Sequence, residues 1–282
     1  MSTSQKRFLI TGVSSGLGRA FAVEALQQGH LVVGTVRKPE DAQAFEALDQ
    51  THATAEILDL TNEKAVVEMV KEVEHEQGAI DVLIANAGYG HEGLFEESSM
   101  EALRQQFEIN VFGTVALIKA VLPSMRARRS GHILAVTSIG GLTTSPGLSF
   151  YHGSKYALEG ILESLGKEVA PLGIHVTAVE PGPFRTDWSG RSMTHSERSI
   201  SDYDAMYEPI RQARANNNGR QPGDPKRAAT VLLEVIASNN PPKHLLLGPA
   251  AINALNANRA AFDEDTNRWE SLIRSTDFPD NV

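Results

Sequence analysis

Short runs of β-branched and aliphatic residues alternate along this sequence with longer amphipathic stretches, and that alternation restricts the fold more than any other feature. The runs lie at 7–11, 31–36, 55–58, 82–85, 132–137, 175–179 and 244–247, and several are apolar throughout. A strand with one solvated face alternates apolar with polar residues, whereas an uninterrupted apolar strand is buried on both faces. The stretches at 17–28, 63–77, 99–125 and 151–170 are each long enough to cross back over a sheet. The pattern predicts an α/β fold with a mostly parallel, doubly wound sheet of about seven strands and helices on both faces. Start signals mark two of the helices. Ser98 with Glu101 reads as a capping box, and Asp224 precedes a proline at a first helical position.

One core follows from the same reading. The 282 residues contain no internal repeat or low-complexity tract, and the stretch 216–225 is too short to divide two cores. Residues 1–282 are therefore expected to form a single domain. Within it, 183–220 has weak periodicity and scattered Phe184, Trp188, Met193, Tyr203 and Met206, which suggests an inserted substrate flap; 251–275 reads as a C-terminal helical extension. The absence of cysteine excludes a disulfide framework, a thiolate nucleophile and cysteine-ligated zinc. With 26 basic against 35 acidic residues, the net charge of −9 works against nucleic acid or an anionic membrane as partner. The first apolar run breaks at Thr11-Gly12, and no uninterrupted apolar stretch reaches the roughly 20 residues of a membrane span, so a cytoplasmic protein is expected. Nine histidines are scattered without paired ligand spacing, and no metal site is expected. His152 is expected to pack or face solvent.

The chemistry concentrates at a few turns. After the first strand, Thr11-Gly12-Val13-Ser14-Ser15-Gly16-Leu17-Gly18 leads into a helix. The first glycine permits a tight turn, the later two allow close backbone approach, and the helix N-terminus offers unpaired amides to a pyrophosphate. This is the arrangement of a Rossmann-type dinucleotide fold. Tyr151 and Lys155, four residues apart, share one face of a helix that follows the fifth strand. A tyrosine acting near neutrality needs its phenolate stabilised by about 3 to 4 kcal/mol, and a neighbouring ammonium acts with the right sign. Ser138 ends the strand before that helix, where its hydroxyl can meet a substrate oxygen at the sheet's carboxyl edge. Asn86-Ala87-Gly88 follows the fourth strand, and Asn110 lies within the long stretch after it.

Together these residues resemble the short-chain dehydrogenase/reductase family, in its single-domain branch, over essentially the whole chain. The similarity runs through the glycine turn, Asp59-Leu60, Asn86-Ala87-Gly88, the tetrad Asn110, Ser138, Tyr151 and Lys155, and Pro181-Gly182 with Thr186. The local wording of 86–90, 110–113 and 180–186 looks like the subgroup related to 17β-hydroxysteroid dehydrogenases. One departure is Ala85, where many members carry a second asparagine. The resemblance implies a hydride transfer between a nicotinamide cofactor and a small-molecule carbonyl or alcohol. Ser138 would steady the substrate oxygen, Tyr151 carry the proton, Lys155 hold the nicotinamide ribose and lower the tyrosine pKa, and Asn110 anchor a water. Gly12, Ser14, Ser15, Gly16, Leu17, Gly18, Asp59, Leu60, Asn86, Ala87, Gly88, Pro181, Gly182 and Thr186 would line the cofactor, and a homo-oligomer, dimer or tetramer, is implied. At the end of the second strand Val36 stands where a carboxylate would favour NAD(H), followed by Arg37 and Lys38, so NADP(H) is expected to be preferred. Alternatives are a nucleotide-binding sensor without turnover, a steroid-specific dehydrogenase, a sugar-nucleotide epimerase and a methyltransferase. The last two fit the glycine spacing or the Tyr151–Lys155 pair less well.

Overall fold

The structure is a computed structural model that describes residues 4–190 and 192–278; residues 1–3, 191 and 279–282 of the expected domain lie outside the described residues. Its first half runs β1 (Arg7–Thr11), α1 (Gly16–Gln27), β2 (Leu31–Val36), α2 (Pro39–Glu46), β3 (Ala53–Ile57), α3 (Glu63–Glu76), β4 (Val82–Ala85), β5 (Gly90–Glu92) and α4 (Met100–Phe107). A π-helical turn, Glu108–Gly113, leads into α5 (Thr114–Arg128), β6 (Gly131–Val136), α6 (Ser149–Val169) and β7 (Ile174–Pro181). The remainder is β8 (Met193–His195), α7 (Asp204–Asn217), α8 (Pro225–Ala237), β9 (His244–Leu247) and α9 (Pro249–Arg274).

Seven strands form one sheet in the order β3-β2-β1-β4-β6-β7-β9, and every pairing in it is parallel. The doubly wound reading of the sequence is borne out. The period of two along each strand explains the two layers: Leu9, Leu83, Ala85, Ile133 and Ala135 face one core with α3, α5 and α6. Phe8, Ile10, Val82, Ile84, Leu134 and Val136 face the other, with α1 and α8. Strand order reverses between β1 and β4, so the crevice beyond their carboxyl ends is the natural ligand position.

Several local expectations need correction. β5 and β8 form a separate two-stranded parallel sheet, each strand being too short to carry a readable period. The long helical stretch after β5 is not one α-helix, because the π turn at Glu108–Gly113 interrupts it. Its N-cap is Ser99, whose side chain accepts from the Ala102 amide, rather than Ser98. The Ser98 hydroxyl instead meets His91 Nε2 at 3.2 Å and Ser196 Oγ at 3.2 Å, so a tertiary contact outcompetes the local cap. Asp224 does cap α8, accepting from the Lys226 amide at 2.9 Å. The run Met100–Arg128 is long and apolar enough in composition to cross a membrane, which inspection of apolar runs alone does not bring out. In this fold its Leu117, Ile118, Val121 and Met125 pack into the core. α9 buries Ala251 and Leu255 and leaves Phe262, Trp269, Leu272 and Ile273 exposed.

The segment 183–220 is tied down by charge. Arg198 pairs with Glu97 at 2.8 Å, Asp204 at 2.8 Å and Glu208 at 3.0 Å. Arg214 of α7 donates to Glu92 at 2.8 Å and to the Pro146 carbonyl at 2.7 Å, joining the segment to the loop before α6.

Core burial sets an acid limit on stability. His132 is buried on β6 with Nε2 at 2.9 Å from Thr177 Oγ1, and that hydroxyl donates onward to the Pro242 carbonyl. Burial first, then His175 and Lys6, pushes His132 down to about 3. A folded-state value below the unfolded one means the unfolded chain binds the extra proton as pH falls below about 6.5, so this stability is complete above that value and is lost toward pH 3. Between pH 7 and 5 the wild-type chain should lose about 2 kcal/mol through this residue. Urea unfolding at both pH values should show a smaller loss in His132→Gln.

Candidate active site

The turn after β1 is built for close backbone approach. Gly12 and Gly16 adopt φ of 73° and 60°, the left-handed region that glycine occupies without strain. The Gly12 and Val13 amides donate to the Thr35 carbonyl at 3.0 and 3.2 Å, tying the turn to β2. Thr11 Oγ1 accepts from the amides of Asn86 and Ala87, both at 3.0 Å, while Asn86 Nδ2 donates to the Thr11 carbonyl at 2.9 Å. α1 begins at Gly16, and its N-cap Ser15 makes no side-chain capping bond, which leaves the first helix amides without that cap. Ser14, Ser15, Gly16 and Leu17 are partly exposed, whereas Gly18 is buried. A Cβ at Gly18 would collide with the Asn86 side chain and the Gly12 carbonyl. Thr186 faces the same turn: its Cβ lies 3.6 Å from where a Cβ on Gly16 would stand.

Around the rim, Arg37 and Lys38 are exposed beyond β2, and Lys38 pairs with Glu40 at 3.7 Å. Asp59 accepts from the Thr61 amide at 2.9 Å and hydroxyl at 2.8 Å; those bonds, with nearby Arg37, hold its carboxyl low. Leu60 is buried beneath Gly113. Pro181 ends β7, and the Gly182 amide donates to the Leu247 carbonyl at 3.0 Å.

Tyr151 and Lys155 lie in the first two turns of α6 and are both buried, so their shared face points inward. Lys155 Nζ is 5.8 Å from the Tyr151 ring centroid and donates to the Val136 carbonyl at 2.8 Å. Gly88 is the floor beneath them: a Cβ there would stand 3.1 Å from Asn110 Oδ1 and 3.7 Å from Lys155 Nζ. The π turn, which inserts one residue into the helical ladder, aims Asn110 into this space. Its Oδ1 accepts from the Tyr89 amide at 3.1 Å, and its Nδ2 donates to the Tyr89 carbonyl at 3.0 Å and to Ser154 Oγ at 3.1 Å. Ser138 follows β6; its Oγ accepts from the Gly140 amide at 2.9 Å. Trp188, in a 3-10 turn of the segment after β7, lies 5.1 Å from the Tyr151 ring.

Within the chain alone, burial pushes Tyr151 up to about 12, against a lowering hydrogen bond with Ser138. Burial also brings Lys155 down to about 8, with Glu159 acting in the opposite direction. In this arrangement Lys155 bonds the Val136 carbonyl, and burial outweighs the Ser138 hydrogen bond at the phenol.

Three sets of contacts escaped the sequence reading, the first made by His152, which packs as one of its two expected roles. His152 is buried and acts as a strut: its Nδ1 donates to the Gly140 carbonyl at 2.8 Å, and its Nε2 accepts from the Ser145 amide at 3.0 Å. It joins the Ser138 turn to the loop that Arg214 holds. The Tyr89 backbone is clamped by both Asn110 and Gln106, whose Nε2 donates to the Tyr89 carbonyl at 2.8 Å. Glu159, Glu180 and His244 meet beside α6. Burial raises both carboxyls, Glu159 to about 7. No spacing signal could have revealed these, since each unites separate elements.

The short chain dehydrogenase family matches residues 6–197, more than half of the chain. Oxidoreductase BOA17 of Botryotinia fuckeliana is 36% identical over 271 residues, spanning 95% of this chain and 97% of that one. The 3-ketodihydrosphingosine reductase of Bacteroides thetaiotaomicron is 37% identical over 243 residues, 86% of this chain and 87% of that one. A crystal structure of a short-chain dehydrogenase from Streptomyces avermitilis superposes with a TM-score of 0.91 at 38% identity, covering 98% of this chain and 100% of that one. The structure of ElxO with NADP bound gives 0.71 at 25% identity, over 86% and 96%. The chain belongs to the short chain dehydrogenase family and is an oxidoreductase with a single Rossmann domain.

Gly18 tests the packing beneath the turn, and Gly160 on α6 serves as its counterpart. Gly18→Ala should destabilise by about 1 to 3 kcal/mol through overpacking against Asn86 and the Gly12 carbonyl. Gly160→Ala, where an added methyl meets nothing within 4 Å on the exposed face of α6, should stabilise by about 0.5 to 1 kcal/mol. Thermal unfolding of the two variants should move in opposite directions.

Proposed function

We propose that this protein transfers a hydride between NADP(H) and a carbonyl or secondary alcohol, with Tyr151 as the proton carrier. The observation that carries this reading is the inward pairing of Tyr151 and Lys155 on buried α6, with Ser138 beside them at the carboxyl edge of the sheet. The cradle fits a dinucleotide. Gly12 and Gly16 keep their left-handed backbone, the α1 amides are uncapped by side chains, and Gly18 lets helix and strand close up beneath. Ser14, Ser15, Gly16 and Leu17 would receive the pyrophosphate; Asp59 and Leu60 would border the adenine; Asn86, Ala87 and Gly88 would line the dinucleotide; Pro181, Gly182 and Thr186 would flank the nicotinamide. When bound, the nicotinamide supplies or accepts the hydride.

The chain's own groups do the rest. Ser138 donates a hydrogen bond to the substrate oxygen. Tyr151 gives its proton to that oxygen in reduction and takes it in oxidation. Lys155 turns from the Val136 carbonyl toward the ribose and brings its charge nearer the phenol, which lowers the tyrosine pKa from its buried value. Asn110 holds Tyr89, and the π turn around it leaves main-chain groups out of the α-helical ladder, where a water can bind. Residues 183–220 act as the substrate lid, a reading supported by Trp188 beside Tyr151 and by the Arg214 tie to the α6 loop.

For the cofactor, exposed Arg37 at the end of β2 supports a preference for the 2′-phosphate, and buried Val36 leaves no carboxylate to repel it. ElxO, solved with NADP, points the same way. We extend the reading to a bulky apolar substrate, with a steroid as the alternative class, and to a cytoplasmic homo-oligomer of two or four copies on the family resemblance.

A screen of the purified protein with NADPH against ketones, aldehydes, quinones and steroids tests the activity itself. Tyr151→Phe should abolish turnover while leaving NADPH affinity within a few-fold; retained turnover would remove the tyrosine from the mechanism. Arg37→Ala should weaken NADPH binding about ten- to a hundredfold and leave NADH nearly unchanged. Adding Val36→Asp to that variant should reverse the preference, and an NADH preference in the wild type would defeat the cofactor assignment.

A further inference from the structure

The fold brings together two carboxylates and an imidazole from three elements on the side of α6 that faces β7 and β9. Glu159 lies one helical turn beyond Lys155, Glu180 lies near the end of β7, and His244 opens β9. His244 Nδ1 is 2.6 Å from Glu180 Oε1 and 3.6 Å from Glu159 Oε2. One donor atom from each residue lies within 4.8 Å of the others.

What distinguishes the trio from a surface acidic cluster is its desolvation. The Glu180 side chain is 0% exposed and Glu159 9%, while His244 at 42% opens the group to solvent. Both carboxylate oxygens of Glu159 and Oε2 of Glu180 have no hydrogen-bond partner. The nearby Thr137 hydroxyl donates to the Val179 carbonyl instead, at 2.9 Å. Among the described residues no lysine or arginine forms a close ion pair with either carboxylate; Arg259 acts on Glu180 only through space. Buried carboxyl oxygens without donors are compensated either by a proton held between them or by a cation bound among them.

We propose that Glu159, Glu180 and His244 bind one divalent transition-metal ion of the zinc or manganese type. Two carboxylates with one imidazole are a nitrogen–oxygen donor set suited to these ions, and three protein ligands leave a position for water on the exposed His244 side. Tetrahedral bonds of about 2.0 to 2.1 Å place donors about 3.3 Å apart, so His244 and Glu180 need part by less than about 1 Å. The ion would brace α6 against β7 and β9, one helical turn beyond Lys155 on the face that carries Tyr151 and Lys155.

The test uses the untagged full chain after chelator treatment, titrated with zinc chloride and then manganese chloride by calorimetry. Bound metal is counted after gel filtration, and Tm is followed against metal concentration. The wild type should retain one ion per chain more than His244→Ala and Glu159→Gln. Its Tm should rise with the metal while theirs does not, and affinity at this site should fall about a hundredfold or more in the variants. His244 is partly exposed, so its variant decides the matter even if Glu159→Gln fails to fold. Equal uptake by wild type and His244→Ala would overturn the site in favour of other histidines. No uptake by the folded wild type would overturn it in favour of a proton shared between the carboxyls. No readout depends on turnover, so the site and the proposed oxidoreductase chemistry stand or fall separately.

Discussion

The Thr11 hydroxyl is the smallest part on which most of this architecture depends. It accepts two amides from the end of β4, and Asn86 returns a bond to the Thr11 carbonyl, so the two strand ends are stitched together where strand order reverses. Without that stitch the amides of Asn86 and Ala87 would lack partners in a crevice that must stay open. A buried backbone amide left unpaired costs about 1 to 3 kcal/mol. The same stitch explains why the residue before Asn86 can be Ala85: its side chain packs into the core, while the bonding is done by residue 86.

A second constraint is the concentration of ionisable groups on α6. Tyr151, Lys155 and Glu159 recur at four-residue intervals on its inner face, and all are buried. Desolvation displaces each toward its neutral form: the phenol upward, the ammonium downward, the carboxyl upward. A helix that held only its fold would place leucines here. The main-chain partner of Lys155, the His152 strut and the Asn110 clamp on Tyr89 show how the surrounding backbone holds these groups in place without neutralising them. Such displaced values concentrate where groups exchange protons or bind ions.

The legibility of the chain follows the range of the forces involved. The strands 7–11, 31–36 and 82–85 coincide with β1, β2 and β4 because an apolar run buried on both faces is a local signal; 244–247 coincides with the less buried edge strand β9. The Asp224 cap was equally readable, since cap and helix are adjacent in the chain. Ser98 was misread because its hydroxyl has a distant competitor, Ser196, brought near by the pairing of β5 with β8. The π turn was not read for a related reason: Glu108–Gly113 carries no local signal that separates a π turn from an α turn, and the contacts of Asn110 with Tyr89 and Ser154 join separate elements.

By itself the sequence determined the class of fold, the glycine turn between β1 and α1, and the spacing that puts Tyr151 and Lys155 on one face of a helix. Each of these depends on residues within a few positions of one another, where sterics and periodicity act directly. Tertiary structure alone decided that this face turns inward, that Lys155 bonds the Val136 carbonyl, that His152 bridges Gly140 and Ser145, and that Glu159, Glu180 and His244 meet. Desolvation and hydrogen bonding between distant segments exist only once the sheet has assembled, and no spacing along the chain encodes them.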